Sequence, residues 1–211
     1  MSFNEYMQAG GAIMWLILAM SVLALALVIE RILFFLSAST NPQKLELAFG
    51  EAIAQDDREK VGEVVGGKSS MHRMFRCACA HWQIDAENLK LLLEGQIRRE
   101  LYRWEKRLPT LDIIAKTAPL LGLLGTVLGM VEMFQSMSLG GAVNSQAITG
   151  GIWKALFTTV AGLTVAIPVI FAHGVLSGMI DKEEETLKRA SDFVIMEHYN
   201  YHSRQGEKAR P

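Results

Sequence analysis

Residues 117–131 read Thr117-Ala-Pro-Leu-Leu-Gly-Leu-Leu-Gly-Thr-Val-Leu-Gly-Met-Val131 and hold no Asp, Glu, Lys or Arg. Gly122, Gly125 and Gly129 recur at three- and four-residue steps, which places them on one face of a helix. A glycine-rich phosphate loop would need a Lys-Ser/Thr after it, and none follows. Gly125-x-x-x-Gly129 is instead a helix-packing pattern, in which small side chains let two backbones approach.

Two further uncharged runs flank this stretch, residues 12–29 and 155–180. About 18 or more apolar residues are needed to cross a bilayer as a helix. The 117–131 run is marginal by length alone, so the charges around it matter. Hydrophobic residues make up 50% of the 211, the charged share is 20%, and the mean hydropathy is +0.21. A soluble globular protein is thereby disfavoured. The near-balance of 21 Lys+Arg against 22 Asp+Glu argues against a nucleic-acid partner. Cys77 and Cys79 are spaced C-x-C, unlike zinc or redox pairs, and read as helix residues of a reducing compartment.

The expected fold is all-α: three transmembrane helices, two of them extending far into the cytoplasm, plus short cytoplasmic helices. The whole chain, 1–211, is expected to form one polytopic unit. Its membrane segments fall at about 10–36, 115–135 and 153–180. A cytoplasmic helical region lies at about 38–114, an outer loop at about 136–152, and a cytoplasmic tail at 181–211. Residues before the first run carry no basic n-region, so it reads as an uncleaved helix rather than a signal peptide. Twelve Lys+Arg lie between Lys44 and Arg107 and six between Lys182 and Arg210, whereas Glu132 to Trp153 has none. The positive-inside rule then puts the N-terminus outside and the C-terminus in the cytoplasm. Glu30-Arg31 sits in the last third of the first segment, as a pair that satisfies itself and snorkels to the inner interface.

Asn41-Pro42, Asp56-Asp57, Ser69-Ser70 and Asp85 are the expected helix starts between the first and second segments. From Ala86 to Val131 only Pro109 and Pro119 interrupt, and both are expected to kink the helix rather than end it. His72, His81, His198 and His202 read as solvated, and His173 as an interfacial packing residue. Ser203–Pro211 reads as a disordered polar tail.

The third run contains Ala155-Leu-Phe-Thr-Thr-Val-Ala-Gly-Leu-Thr-Val-Ala-Ile-Pro168. With the second it supplies a packing set: Gly122, Gly125, Gly129, Gly162 and Ala166, with Pro119 and Pro168. Thr126, Thr158 and Thr159 admit two readings: hydroxyls bonded back to a carbonyl one turn earlier, or hydroxyls lining a path for water or ions. A proton path usually carries an intramembrane carboxylate. These stretches have none, so a titrating group would come from elsewhere.

The run from Leu108 to Met130 and the run from Gly151 to Pro168, with Glu30-Arg31 before Phe34-Phe35, together resemble the MotA/TolQ/ExbB proton-channel family, in layout its ExbB/TolQ branch. The resemblance covers essentially the whole chain. It implies a homopentamer around two copies of an ExbD/TolR-like partner, whose single membrane helix carries the essential Asp. It implies that proton flow across the bacterial inner membrane drives motion that energises a TonB/TolA-like transducer acting at the outer membrane. No enzyme activity, cofactor or metal is implied. The family's pore-facing threonines fall on Thr126 and Thr159. Where the family commonly has Glu ahead of the third helix's Ala-Leu, this chain has Lys154. Either Lys154 pairs with Glu132 at the outer boundary, or it snorkels to the headgroups. A non-conducting helical membrane scaffold is the alternative function.

Overall fold

The computed structural model describes residues 3–38, 40–139 and 145–208. Seven helices follow in order: α1 (Phe3–Ala38), α2 (Pro42–Ala54), α3 (Arg58–Val64), α4 (Ser70–Ala80), α5 (Ala86–Glu105), α6 (Leu108–Leu139) and α7 (Ser145–Lys208). No strand occurs among the described residues. Three stretches, within α1, α6 and α7, are long and apolar enough to cross a membrane. α1 bends at Gly11, whose φ of 61° is in the left-handed region that glycine enters without a Cβ penalty.

The starts of the short helices follow from their side chains. Asn41 accepts from the Lys44 N–H at the head of α2, with Pro42 in the first turn. Asp57 accepts from Glu59 and Lys60, Ser69 from His72, and Asp85 from Asn88. Each of these oxygens satisfies a backbone donor that the first helical turn leaves without a partner.

Contacts divide the chain into two compact units, one of residues 1–31 and 107–176, the other of residues 32–106 and 177–211. In the second unit, Leu45 and Phe49 of α2, Met71, Met74, Phe75 and Ala78 of α4, Leu89, Leu93 and Ile97 of α5, and Leu187, Ala190 and Val194 of α7 form one core. Their three- and four-residue steps are the apolar stripes of four amphipathic helices. A buried charge cluster interrupts the apolar packing. Glu100, 1% exposed, receives Nε of Arg73 at 2.9 Å, the Arg73 Nη2 and the Gln96 amide, with Arg103 at 3.4 Å. Ser70 donates to Glu183 beside it.

Three expectations change here. The helix foreseen from Ala86 to Val131 is broken at Lys106 and Arg107. Pro109 lacks an N–H, and its ring would collide with the carbonyl four residues back, Glu105, where α5 ends. Arg107 takes φ 74°, a costly conformation for a residue with a Cβ, and its guanidinium meets Glu30 at 3.0 Å. His198 is not solvated: it is 4% exposed, its Nε2 lies 3.0 Å from the Trp82 carbonyl, and its ring meets those of Trp82 and His202. It continues the buried stripe of Leu187, Ala190 and Val194 by one further turn. His202, half-buried, reaches the same carbonyl at 3.3 Å. Finally, Ser203–Lys208 are helical, as the end of α7. Residues 209–211 of the expected tail lie outside the described residues.

His72 is half-buried rather than solvated, with Nδ1 2.6 Å from Ser69 Oγ. Burial, then the positive charges of Arg76 and Arg73, hold its pKa below 6.5. An unfolded His72 takes up a proton near its ordinary value, while the folded one resists until lower pH. Its contribution to stability is therefore present above about pH 6.5 and is lost as pH falls through the folded value. Chemical unfolding followed between pH 7.5 and 5 should show a decline that His72→Gln flattens. An equal slope in both proteins would refute the assignment. In α4, burial pushes the Cys79 thiol up to about 11. It is thus a protonated, unreactive packing group at neutral pH.

Candidate functional site

The site is built where α6 and α7 pack antiparallel. Small residues at three- and four-residue steps form the contact. A Cβ on Gly162 would come 2.5 Å from the Ala118 carbonyl oxygen, and one on Gly122 would come 2.9 Å from the Thr158 carbonyl and the Thr159 Cα. A Cβ on Gly125 would fall on the Thr158 side chain, and one on Gly129 would lie 3.2 Å from the Ala155 Cβ. Ala166 is 1% exposed. Without these glycines the two backbones could not run this close. Pro119 and Pro168 both stand inside their helices, but Pro168 is exposed and only Pro119 is half-buried.

Close packing brings the three threonines to one carbonyl. The Gly122 oxygen is within hydrogen-bond reach of Thr126 Oγ1 at 3.3 Å, Thr158 Oγ1 at 3.3 Å and Thr159 Oγ1 at 3.1 Å. The Ala155 oxygen is within reach of Thr126 at 3.2 Å and of Thr158 at 2.8 Å, and each hydroxyl has one proton to give to these acceptors. Thr126 Oγ1 and Thr159 Oγ1 lie 2.5 Å apart, so the two residues share one depth. Thr158 is 1% exposed, enclosed between the helices, and offers no surface for a path. Thr126 and Thr159 are half-buried at the margin of the pair. The bond back to a carbonyl one turn earlier is thus found for Thr126 and Thr158, whereas Thr159 reaches across to the Gly122 carbonyl of α6, and Thr126 and Thr159 keep partial exposure at the surface of the helix pair.

Elsewhere in this unit, Glu30 accepts from Arg31 Nε at 2.9 Å and Nη2 at 2.7 Å. The Arg31 side chain is 4% exposed, packed against its neighbours, so the pair satisfies itself as expected. Arg107, 77 residues away in sequence, completes the cluster, a partner that local pattern could not reveal. His173 is half-buried on α7. Glu132 is exposed on α6; the Lys154 side chain lies outside the described residues, and with it the expected pair. No group of three His, Cys, Asp or Glu suited to a metal occurs among the described residues.

Residues 67–189, more than half of the chain and including both faces of the threonine cluster, match the model of the MotA/TolQ/ExbB proton channel family. The chain belongs to this family. Among its relatives is a putative biopolymer transport protein ExbB-like 3 of Synechocystis, 30% identical over 95% of this chain and 97% of the relative. Biopolymer transport protein exbB1 of Vibrio cholerae is 26% identical over 92% of this chain and 87% of that protein. The Tol-Pal system protein TolQ of Haemophilus influenzae is 25% identical over 81% and 80%. Similarity along nearly the full length places this MotA/TolQ/ExbB chain on the ExbB/TolQ side of the family.

Proposed function

We propose that this MotA/TolQ/ExbB chain is one subunit of a proton-driven motor in the bacterial inner membrane. The apolar stretches of α1, α6 and α7 cross the bilayer, with the N-terminus outside and the second unit in the cytoplasm. Five copies surround two single-helix partners of the ExbD/TolR type. A carboxylate on the partner carries the proton past the Thr126–Thr159 margin, and the resulting motion energises a TonB/TolA-like transducer.

One observation supports this reading above others. Two hydroxyls meet at 2.5 Å in a stretch, 117–131 and 155–180, that contains no ionisable side chain except His173. Hydroxyls both donate and accept, so they can solvate a carboxylate in either protonation state. They cannot themselves carry charge at neutral pH, which is why the reading needs a partner's acid. Thr126→Val/Thr159→Val keeps the shape of both side chains and removes the hydroxyls. Assembly should survive, while proton-dependent transport falls about tenfold or more, the scale of a lost hydrogen bond to a charged group, about 1.5–3 kcal/mol.

A second reading is a non-conducting scaffold. What favours it is that all three hydroxyls find partners within the chain, on the Gly122 and Ala155 carbonyls and on one another. Unchanged transport in the double variant would overturn the path and leave the hydroxyls as backbone-bonded packing groups; absence of proton-dependent transport in the parent protein would support the scaffold.

A further inference from the structure

We propose that the outward face at the C-terminal end of α5 binds the phosphodiester headgroups of anionic phospholipids in the adjoining leaflet. Arg98, Arg99, Tyr102, Arg103 and Lys106 recur at one-, three- and four-residue steps and line one open hollow. Arg98, Arg99 and Lys106 are exposed and form no ion pair among the described residues, while Arg103 also reaches Glu100. Glu105 stands at one margin, and Glu94, Glu184 and Asp192 share a second hollow with Arg98 beyond the other, while the hollow lined by Arg98, Arg99, Tyr102, Arg103 and Lys106 holds no acid of its own. Arg103 shares Glu100 with Arg73, but the other three cations, held on the surface of a structured core with no ion pair among the described residues, call for an anionic partner. Tyr102 is 72% exposed among them, an aromatic ring with a polar tip of the kind that settles at a membrane interface.

The height of this face follows from contacts within the second unit. Trp82, just ahead of α5, meets His198 of α7, whereas Glu100 and Glu183 both engage α4, through Arg73 and Ser70. α5 therefore runs antiparallel to α7, with Glu100 level with Glu183. Six residues on, about 9 Å along the helix, Lys106 comes level with residues 177–180. These are the last of the uncharged run, before Asp181-Lys182-Glu183. Trp104 packs at ring-centroid distances of 5.6 and 4.5 Å on Phe34 and Phe35, at the end of the first apolar run. Lys106, Arg103 and Tyr102 thus lie within the headgroup layer, about 5–8 Å thick. Arg98 and Arg99 lie one to two turns further out, within reach of a long side chain and about a Debye length. The inference rests on the membrane placement proposed above.

The full chain is reconstituted in phosphatidylcholine vesicles containing a trace of spin-labelled phosphatidylglycerol or spin-labelled phosphatidylcholine. The motionally restricted lipid fraction is measured for each. The expected result is a preference for phosphatidylglycerol that falls about fivefold for each charge removed, about 1 kcal/mol, and is nearly gone in Arg98→Gln/Arg99→Gln/Lys106→Gln. Arg98→Lys/Arg99→Lys should retain most of it. Because all three residues are exposed, the helix content and melting of the triple variant should match those of the parent. An unchanged preference in the triple variant overturns the proposal, and so does displacement of phosphatidylglycerol by millimolar inorganic phosphate at constant ionic strength. Loss of co-purifying protein partner with lipid preference intact would assign the face to an acidic protein surface and overturn it as well. Absence of a restricted fraction with either lipid would overturn the membrane placement itself, an outcome distinct from loss of selectivity alone.

Discussion

Gly162→Ala, the addition of one methyl group, should separate α6 from α7 and cost the protein its assembly. The new Cβ would come 2.5 Å from the Ala118 carbonyl oxygen and 3.2 Å from the Gly122 Cα. Both obstacles are backbone, so no side chain can rotate aside. Relief requires translating one helix by about an ångström, which also opens the Gly122–Thr158 and Gly129–Ala155 contacts. Overpacking of a well-fitted contact typically costs about 1–3 kcal/mol, and Gly125→Leu should exceed that. The control lies in the same helix. A Cβ on Gly174 or Gly178 would have nothing within 4 Å of it. Gly174→Ala and Gly178→Ala should be neutral, or slightly stabilising through helix propensity. Thermal unfolding and oligomer size in detergent would compare the three. Equal behaviour of Gly162→Ala and Gly178→Ala would refute the close-packing account.

Arg73→Ala should destabilise the second unit by about 3 kcal/mol, at the lower end of the cost of orphaning a buried charge. Glu100 is 1% exposed and would lose its bidentate partner, while Gln96 and Arg103 soften the loss. The Arg73 side chain is itself 26% exposed, which also holds the figure down. Arg73→Met/Glu100→Leu removes both charges and should recover most of the stability, because an apolar pair no longer has to be desolvated as ions. Denaturant unfolding reads both. A double variant as unstable as Arg73→Ala would mean that the cluster acts by shape and not by charge.

The comparison of sequence with structure shows where local pattern suffices. Asn41, Asp57, Ser69 and Asp85 were legible as helix starts because a cap is a contact between residues two or three apart. Gly122, Gly125 and Gly129 were legible as one face because helical spacing is a local rule. The end of α5 was not, since Pro109 in a first turn is compatible with continuing or breaking. What accompanies the break, Arg107 on Glu30, spans 77 residues. Arg73–Glu100 and Ser70–Glu183 were invisible for the same reason, being 27 and 113 residues apart. His198 could have been read: it is one more turn of the Leu187, Ala190, Val194 stripe, and its polarity masked the pattern. The helical end of α7 was missed because Arg204, Gln205 and Glu207 suit a tail and a helix equally well.

The sharing of acceptors among the three threonines has a consequence of its own. The Gly122 and Ala155 carbonyls each have two lone pairs, and each is in range of the backbone N–H one turn ahead as well as of the hydroxyls. That leaves about one vacancy apiece for three donors, and the third proton must lie between Thr126 and Thr159, where either oxygen can be the donor. The row of protons can then point from α6 to α7 or from α7 to α6 with the same number of bonds made. Reversing it takes only rotations about two C–O bonds, with no movement of the backbone. The pair is in effect a two-state dipole held in a rigid frame, and a negative charge brought to its edge would select one polarity over the other.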